Sequence, residues 1–402
     1  GLSAGGHISS QLLSMPAAVG LFHKAICMSG SAQWTLGSRE HHARRVAEPF
    51  AKQLGFQSLE DFTLEEARKL PAEALRQAYM ACGQFLQSGT LSVDGDTVPR
   101  DPLDLMREGC AKGVPVLTGV TRDEGVFSTK LFKRFGATTE DVVNGLRKHL
   151  RGVCYLMDGD VDALRGVDDG GLERIAGELV ADYQGLVAGY TSAPEEVRQG
   201  AVDLSLDKCP RLADASYELA AKIIGDHDFT LGHTMAIWAL WRHAPVYAYV
   251  FSDETRPKGG YAGHGSDERF LFGTQDRLPG ADAPADPSTL LSTSIMEAWA
   301  AFARNGNPST PALGAWPPVK FPEVAPMAAA AGSAASAAEA AIGQPEARAS
   351  LTHMNFEHGR TRLVSHGWDE TRIWLRHALR FGQLGGAVVR PAVAAMAGQV
   401  LG

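Results

Sequence analysis

Cysteine is scarce in this sequence. Five residues, Cys27, Cys82, Cys110, Cys154 and Cys209, are scattered over 402 positions with no CxxC and no Cys/His ligand spacing. That scatter argues against a structural zinc site and a dense disulfide framework, and leaves one or two bridges open. Long apolar runs are also lacking: none approaches the roughly 18 to 20 residues that would span a bilayer, so no transmembrane helix is expected. There is no excess of positive charge. With 38 Lys and Arg against 46 Asp and Glu, the net charge is −8, which argues against a general nucleic-acid binder, since such proteins need a basic face to displace counterions from phosphates. A small neutral or cationic partner is easier to accommodate. The first residues offer no Met, no basic segment and no signal-like run; the part that would carry any signal peptide is read as absent, so the compartment is unknown and cytoplasm a guess. What is present is ordinary for a globular protein, 45% hydrophobic and 21% charged residues, and this excludes disorder throughout.

Three short apolar runs, Ala25 to Met28, Val114 to Thr121 and Pro245 to Phe251, are bounded by Gly, Pro and charged residues. Such runs suit strands buried on both faces of a parallel sheet. Helical periodicity marks Ala4 to Met15, Glu40 to Leu54, Leu64 to Cys82, Thr139 to Leu150, Leu212 to Ile224 and His233 to Trp241. The alternation predicts an open α/β sheet with helical excursions that cap a site. Met327 to Ile342 is almost only Ala, Gly and Ser. It has no large apolar residue with which to dock a helix, and is expected to be an insert or linker. The expected organisation is a catalytic region over residues 1–325, this Ala-rich segment over 326–350, and a C-terminal part over 351–402. That last part should hold a strand near Thr361 to Val364, a helix from Trp368 to Phe381, and a mobile tail.

Beyond each strand run stand polar residues of interest. Gly1-Leu2-Ser3-Ala4-Gly5 fits G-x-S-x-G, in which small neighbours let a serine sit on a sharp strand-to-helix turn. The helix N-terminus behind it offers a favourable dipole to a developing oxyanion. Taken alone, the pentapeptide is a weak signal, and an ordinary glycine turn before a helix is the commoner reading. Asp123 and Glu124 come after the second run, where an acid must stand to orient a histidine; the bland alternative is an acidic pair that solvates a loop. His264 lies between two glycines beyond the third run, last in the order serine, acid, histidine expected of this architecture. His227, His233 and His243 look instead like packing residues around Trp238 and Trp241. Trp34 is a candidate acyl-site residue and equally a core residue.

The stretch GLSAGGHISSQLLSMPAAVGLFHKAICMSGSA resembles the segment of type B carboxylesterases and cholinesterases in which the serine elbow is followed by a helix, GLF, a basic residue, AI and SGS. Further matches are Val93-Asp94-Gly95-Asp96 before a DPL segment, VPVLTGVTRDEG, HGSDERFLFG from His264 to Gly273, WAAFARNGNPS from Trp299 to Ser309, and Trp316-Pro317. They occur in the family's order and cover most of residues 1–320.

The resemblance implies an α/β-hydrolase fold. It also implies Ser3 as nucleophile, His264 as general base and then acid, Glu124 rather than Asp123 as the acid, and the Ala4 N–H in the oxyanion hole. Ser29 and Asp267 match positions that support the triad through hydrogen bonds. The implied reaction is hydrolysis of a small-molecule carboxylic ester through an acyl-enzyme, with no metal or organic cofactor needed. Two departures stand out. Leu2 occupies the position where the family usually carries Glu, and no HGGG-like stretch, which supplies the other oxyanion donors, occurs anywhere. The sequence thus reads as truncated before the elbow, and the chain by itself is expected to be a poor esterase with an exposed sheet edge. A cholinesterase-like binding protein without activity, or an inactive truncated product, are the rival readings.

Overall fold

The three apolar runs do form strands, and the loops at their carboxyl ends determine where the chemistry can sit. A computed structural model of the chain describes residues 1–33, 35–82, 91–126, 138–152, 164, 166–192, 215–253, 262–274, 287–321, 350–357, 361–367, 369–384 and 388–401. The strands are β1 (Ala25–Met28), β2 (Thr35–Ser38), β3 (Leu91–Val93), β4 (Val116–Thr121), β5 (Val246–Phe251), β6 (Ser350–Phe356) and β7 (Arg362–Gly367). The main sheet runs β1-β4-β5-β6-β7, and β2 with β3 makes a separate two-stranded ribbon. Pairing is parallel from β1 through β6, and β7 closes the sheet antiparallel to β6. Gly1 to Ser3 continue the sheet on the far side of β1. The amino group of Gly1 donates to the Ile26 carbonyl at 2.8 Å, and the Met28 N–H donates to Gly1 and the Ser3 N–H to Met28, each at 2.9 Å.

Successive side chains of a strand point to opposite faces, and here both faces are covered. Val116, Val246 and Ala248 join Leu13 and Cys27 in one core, packed by the helices Thr139–Gly152, Asp169–Ser192, Ala215–Gly225, Leu231–Leu240, Asp369–Phe381 and Pro391–Leu401. Leu117, Tyr247, Tyr249 and Phe251 join Phe270, Trp299, Phe302, Trp316 and Phe356 on the other face, against the helix Pro287–Asn305. Burial on both sides explains why β4 and β5 read as unbroken apolar runs. A large side chain placed in either core contributes about 1.5–3 kcal/mol. The described cysteines, Cys27, Cys82 and Cys110, are free thiols, and burial pushes the Cys27 thiol up to about 12.

Several expectations need correction. Glu40 to Leu54 is divided into Arg39–His42, a π-turn Ala43–Ala47 and Glu48–Gln53. Leu64 to Cys82 breaks into Leu64–Lys69 and Ala72–Ala81, because Pro71 pushes Leu70 into an extended conformation. The tail is not loose. Pro391–Leu401 is a helix whose Val393 and Met396 are buried. It is held by Arg390, whose Nε and Nη2 each donate to Asp101 at 2.6 Å, and by the Trp238 indole N–H, which donates to Gln399 at 2.8 Å. Trp34 and almost all of the Ala-rich segment, residues 322–349, lie outside the described residues.

Candidate active site

Parallel strands deliver their carboxyl ends to one edge of the sheet, and the loops leaving Gly1–Ser3, β1, β4 and β5 meet there. Ser3 stands between its strand and the helix Ala4–Leu12 with φ 56° and ψ −120°, a left-handed conformation that costs a non-glycine residue about 1–3 kcal/mol. Backbone bonds on both sides hold it: its N–H donates to Met28 and its carbonyl accepts from His7, both at 2.9 Å. The glycines around it are not equivalent. A Cβ on Gly1 would lie 2.4 Å from the Gly5 backbone, whereas one on Gly5 itself would meet nothing within 4 Å. Gly6 and Gly30 are as tightly placed as Gly1, since a Cβ on Gly6 would lie 2.5 Å from the Met28 carbonyl oxygen and one on Gly30 2.4 Å from the His7 nitrogen. Ala4 opens the helix, so its N–H has no intrahelical acceptor.

Glu124 leaves β4 and is buried, 2% exposed. Its Oε1 accepts from the Thr121 N–H at 2.8 Å, which leaves Oε2 for a second partner. Gly125 explains the RDEG pattern. A Cβ there would sit 1.7 Å from the Ala221 carbonyl oxygen, so only glycine lets the helix Ala215–Gly225 cross behind the acid. Asp123 turns the other way. It pairs with Arg122 at 2.7 Å and accepts from the Ala262 N–H at 2.8 Å, tying the loop after β4 to the loop that carries His264.

His264 joins the two halves. Its Nδ1 lies 2.5 Å from Glu124 Oε2 and its Nε2 lies 2.8 Å from Ser3 Oγ. An ionised carboxylate only accepts, so Nδ1–H donates to Glu124 and Nε2 accepts from the Ser3 hydroxyl. Burial alone would lower the imidazole's affinity for protons, but the charge and hydrogen bond of Glu124 outweigh it and raise the pKa.

Of the residues expected to support this group, neither bonds to it. Ser29 is buried in a left-handed conformation, φ 47°, and its Oγ has no hydrogen-bond partner. Asp267 accepts from the Tyr249 hydroxyl at 2.8 Å instead of from a triad member. Its carboxyl is pushed up to about 6, chiefly by burial, with the Glu124 charge adding to the shift and the Tyr249 bond opposing it. Leu2 is apolar where the family carries an acid, and its Cδ2 lies 3.6 Å from where a Cβ on Gly265 would stand.

Two residues at the site are not marked by any sequence motif. Phe229, in a π-turn over Asp226–Thr230, packs against the His264 ring at 4.7 Å between centroids, tilted by 41°. His7 is buried one helical turn after Ser3, and its Nδ1 accepts from the Ser31 N–H at 2.9 Å. Burial lowers its pKa to about 4 and leaves a neutral ring beside the elbow at neutral pH. Spacing from Ser3 along the helix is the one sequence signal for His7. For Phe229 there is none, because its contact with His264 is made only by the fold.

The chain resembles proteins of one family by sequence and by shape. The model of the carboxylesterase family matches residues 1–334. Human carboxylesterase 5A is 27% identical over 336 residues, covering 80% of this chain and 51% of that protein. Para-nitrobenzyl esterase of Bacillus subtilis (strain 168) is 28% identical over 330 residues, 79% of this chain and 55% of that protein. The chain therefore spans about half the length of the curated relatives it matches. A solved carboxylesterase of Geobacillus stearothermophilus superposes with a TM-score of 0.62 at 22% identity, over 93% of this chain and 63% of that one. That likeness shows the fold, the α/β-hydrolase fold. No helix among the described residues is long and apolar enough to cross a membrane. With the family match spanning most of the sequence and the sheet built as that fold requires, the chain belongs to the carboxylesterase family.

Proposed function

We propose that this chain carries the nucleophile, acid and base of a serine esterase that hydrolyses small-molecule carboxylic esters. The observation that carries the reading is the unbroken hydrogen-bond path from Ser3 Oγ through both nitrogens of His264 to Glu124. Ser3 Oγ attacks the acyl carbon while His264 Nε2 takes its proton. Negative charge then develops on the former carbonyl oxygen, beside the Ala4 N–H and the positive end of the helix Ala4–Leu12. His264 returns the proton to the departing alkoxide, so the alcohol leaves and the acyl group stays on Ser3. Water repeats the sequence: His264 removes its proton, the hydroxide equivalent attacks the acyl carbon, and Ser3 recovers its hydrogen as the acid departs.

The Glu124 carboxylate stabilises the imidazolium that forms in each half. Asp123, engaged by Arg122 and the Ala262 N–H, is a loop tie rather than a partner of His264. The acid and alcohol preferences depend on residues around the site, and p-nitrobenzyl and p-nitrophenyl esters are the natural first substrates, given the relatives. In the protein that carries this chain, a fluorophosphonate probe is expected to label Ser3, with labelling abolished in Ser3→Ala. Labelling at a different serine, or none at all, overturns the assignment.

A further inference from the structure

Among the described residues, and away from the Ser3–His264–Glu124 path, one group of histidine and acidic side chains brings its ligand atoms close enough to share an ion: His149, His227 and Asp228. All three are buried, 8%, 0% and 6% exposed. His149 lies near the end of the helix Thr139–Gly152, and the other two lie in the π-turn Asp226–Thr230. Asp228 Oδ1 is 3.0 Å from His149 Nε2 and 2.8 Å from His227 Nδ1, and the two nitrogens are 3.4 Å apart. Both ring nitrogens and the carboxylate oxygen thus face one another, three atoms that can each offer a lone pair to the same point. A cation at that point bonds all three atoms at once.

The separations also suit an ion. Ligands held at about 2.1 Å from a metal are about 3.0 Å apart at right angles and about 3.4 Å apart at tetrahedral angles. Two imidazoles and one carboxylate form a donor set that favours first-row transition cations over calcium or magnesium, which take oxygen ligands. The supporting shell is ordered. The Gln33 side-chain amide donates to the backbone carbonyls of His227 and Asp228 at 3.3 and 2.9 Å, and the His227 ring packs 4.9 Å from that of Trp374. His149 is 79 residues from Asp228, so no local ligand motif could reveal the group.

We propose that His149, His227 and Asp228 form a binding site for a divalent cation of the zinc class, supplying three protein ligands and leaving further positions to water. The ion pins the π-turn to the helix Thr139–Gly152. Because Phe229 is next in the chain after Asp228 and its ring packs against that of His264, the pin sits one residue behind the wall of the candidate active site. This inference does not depend on the esterase reading.

The test uses the 402-residue chain, stripped with chelator and titrated with ZnCl₂ and, separately, CoCl₂. The expected result is about one equivalent bound, d–d absorption bands with Co²⁺, and a higher unfolding temperature with Zn²⁺. Binding should weaken by more than about 100-fold in His149→Gln and in Asp228→Asn, at least the loss that disturbing a metal's supporting shell produces. A control substitution at the exposed His23, His23→Gln, should bind as the parent does. If either ligand variant fails to fold, X-ray absorption of the zinc-loaded parent decides, with two imidazoles and one carboxylate expected. Negligible uptake by the parent, unchanged binding in the ligand variants, or thiolate ligation overturns the proposal.

Discussion

At His264 each ring nitrogen has its own partner, whereas around Asp228 two imidazoles share one carboxylate oxygen. Both assemblies are buried and both pair histidine with an acid. The difference lies in the third member. His264 faces a serine hydroxyl on a strained elbow, so a proton can pass along the line and a reacting atom can approach its end. Asp228 is surrounded. Burial works against its charge, yet the His149 charge and bonds from both rings hold its carboxyl well below the usual carboxylate range. The same two residue types thus make an open line in one place, the proposed proton relay, and a closed knot in the other, and the deciding factor is whether one nitrogen is left facing a hydroxyl.

Removing the acid from each assembly should separate the two. Glu124→Gln is expected to lower kcat by about 10² to 10⁴, because a neutral amide neither stabilises the imidazolium nor fixes the tautomer. It should also shift the acid limb of kcat/KM downward, since Glu124 is what raises the His264 pKa. An unchanged pH profile would break the comparison. Asp228→Asn should do the reverse, costing about 3–5 kcal/mol of stability by urea unfolding with kcat changed less than tenfold, as removal of one member of a buried charged group does. A large loss of turnover in a stably folded Asp228→Asn would make the second assembly part of the chemistry.

A third probe is Asp267. Its pKa of about 6 lies above the unfolded value, so its contribution to stability is complete below about pH 4 and is lost as pH rises through 6. Between pH 4 and 8 the parent should lose about 2–3 kcal/mol relative to Asp267→Asn, whose side chain does not titrate. Parallel stability curves would show that the carboxyl is ionised throughout. Smallest of all, Asp123→Asn should reduce kcat about tenfold or less, because the adjacent residues face different partners. Equal losses at positions 123 and 124 would mean that the loop tie and the acid cannot be told apart by function.

This site is legible in the sequence because its members terminate apolar strands. Buried on both faces, β1, β4 and β5 read as continuous runs, and the residues after them can be identified by position. Strand β6 is hidden for the opposite reason: its interior holds His353 and Asn355, both buried, and Asn355 accepts a hydrogen bond from Ser252. Polar residues satisfied inside a core imitate a loop. The ribbon strands β2 and β3 are too short to show a period. Asp169–Ser192 carries one apolar stripe, Leu172, Ile175, Ala176, Leu179, Val180 and Tyr183, that the helices expected from the sequence omit. The Asp228 assembly is illegible because its members lie on two elements that meet only in the fold.

The hydrogen-bonded path of the proposed triad joins residues separated by 261 and 140 positions. During synthesis at about 5 to 20 residues per second, Ser3 leaves the ribosome on the order of 10–50 s before His264. The elbow's own partners, Met28 and Gly30, emerge within a few seconds of it at those rates, so the strained serine can be shaped early while its base is still unmade. If Ser3 and His264 act as proposed, Ser3 has no proton acceptor until the loop beyond β5 arrives.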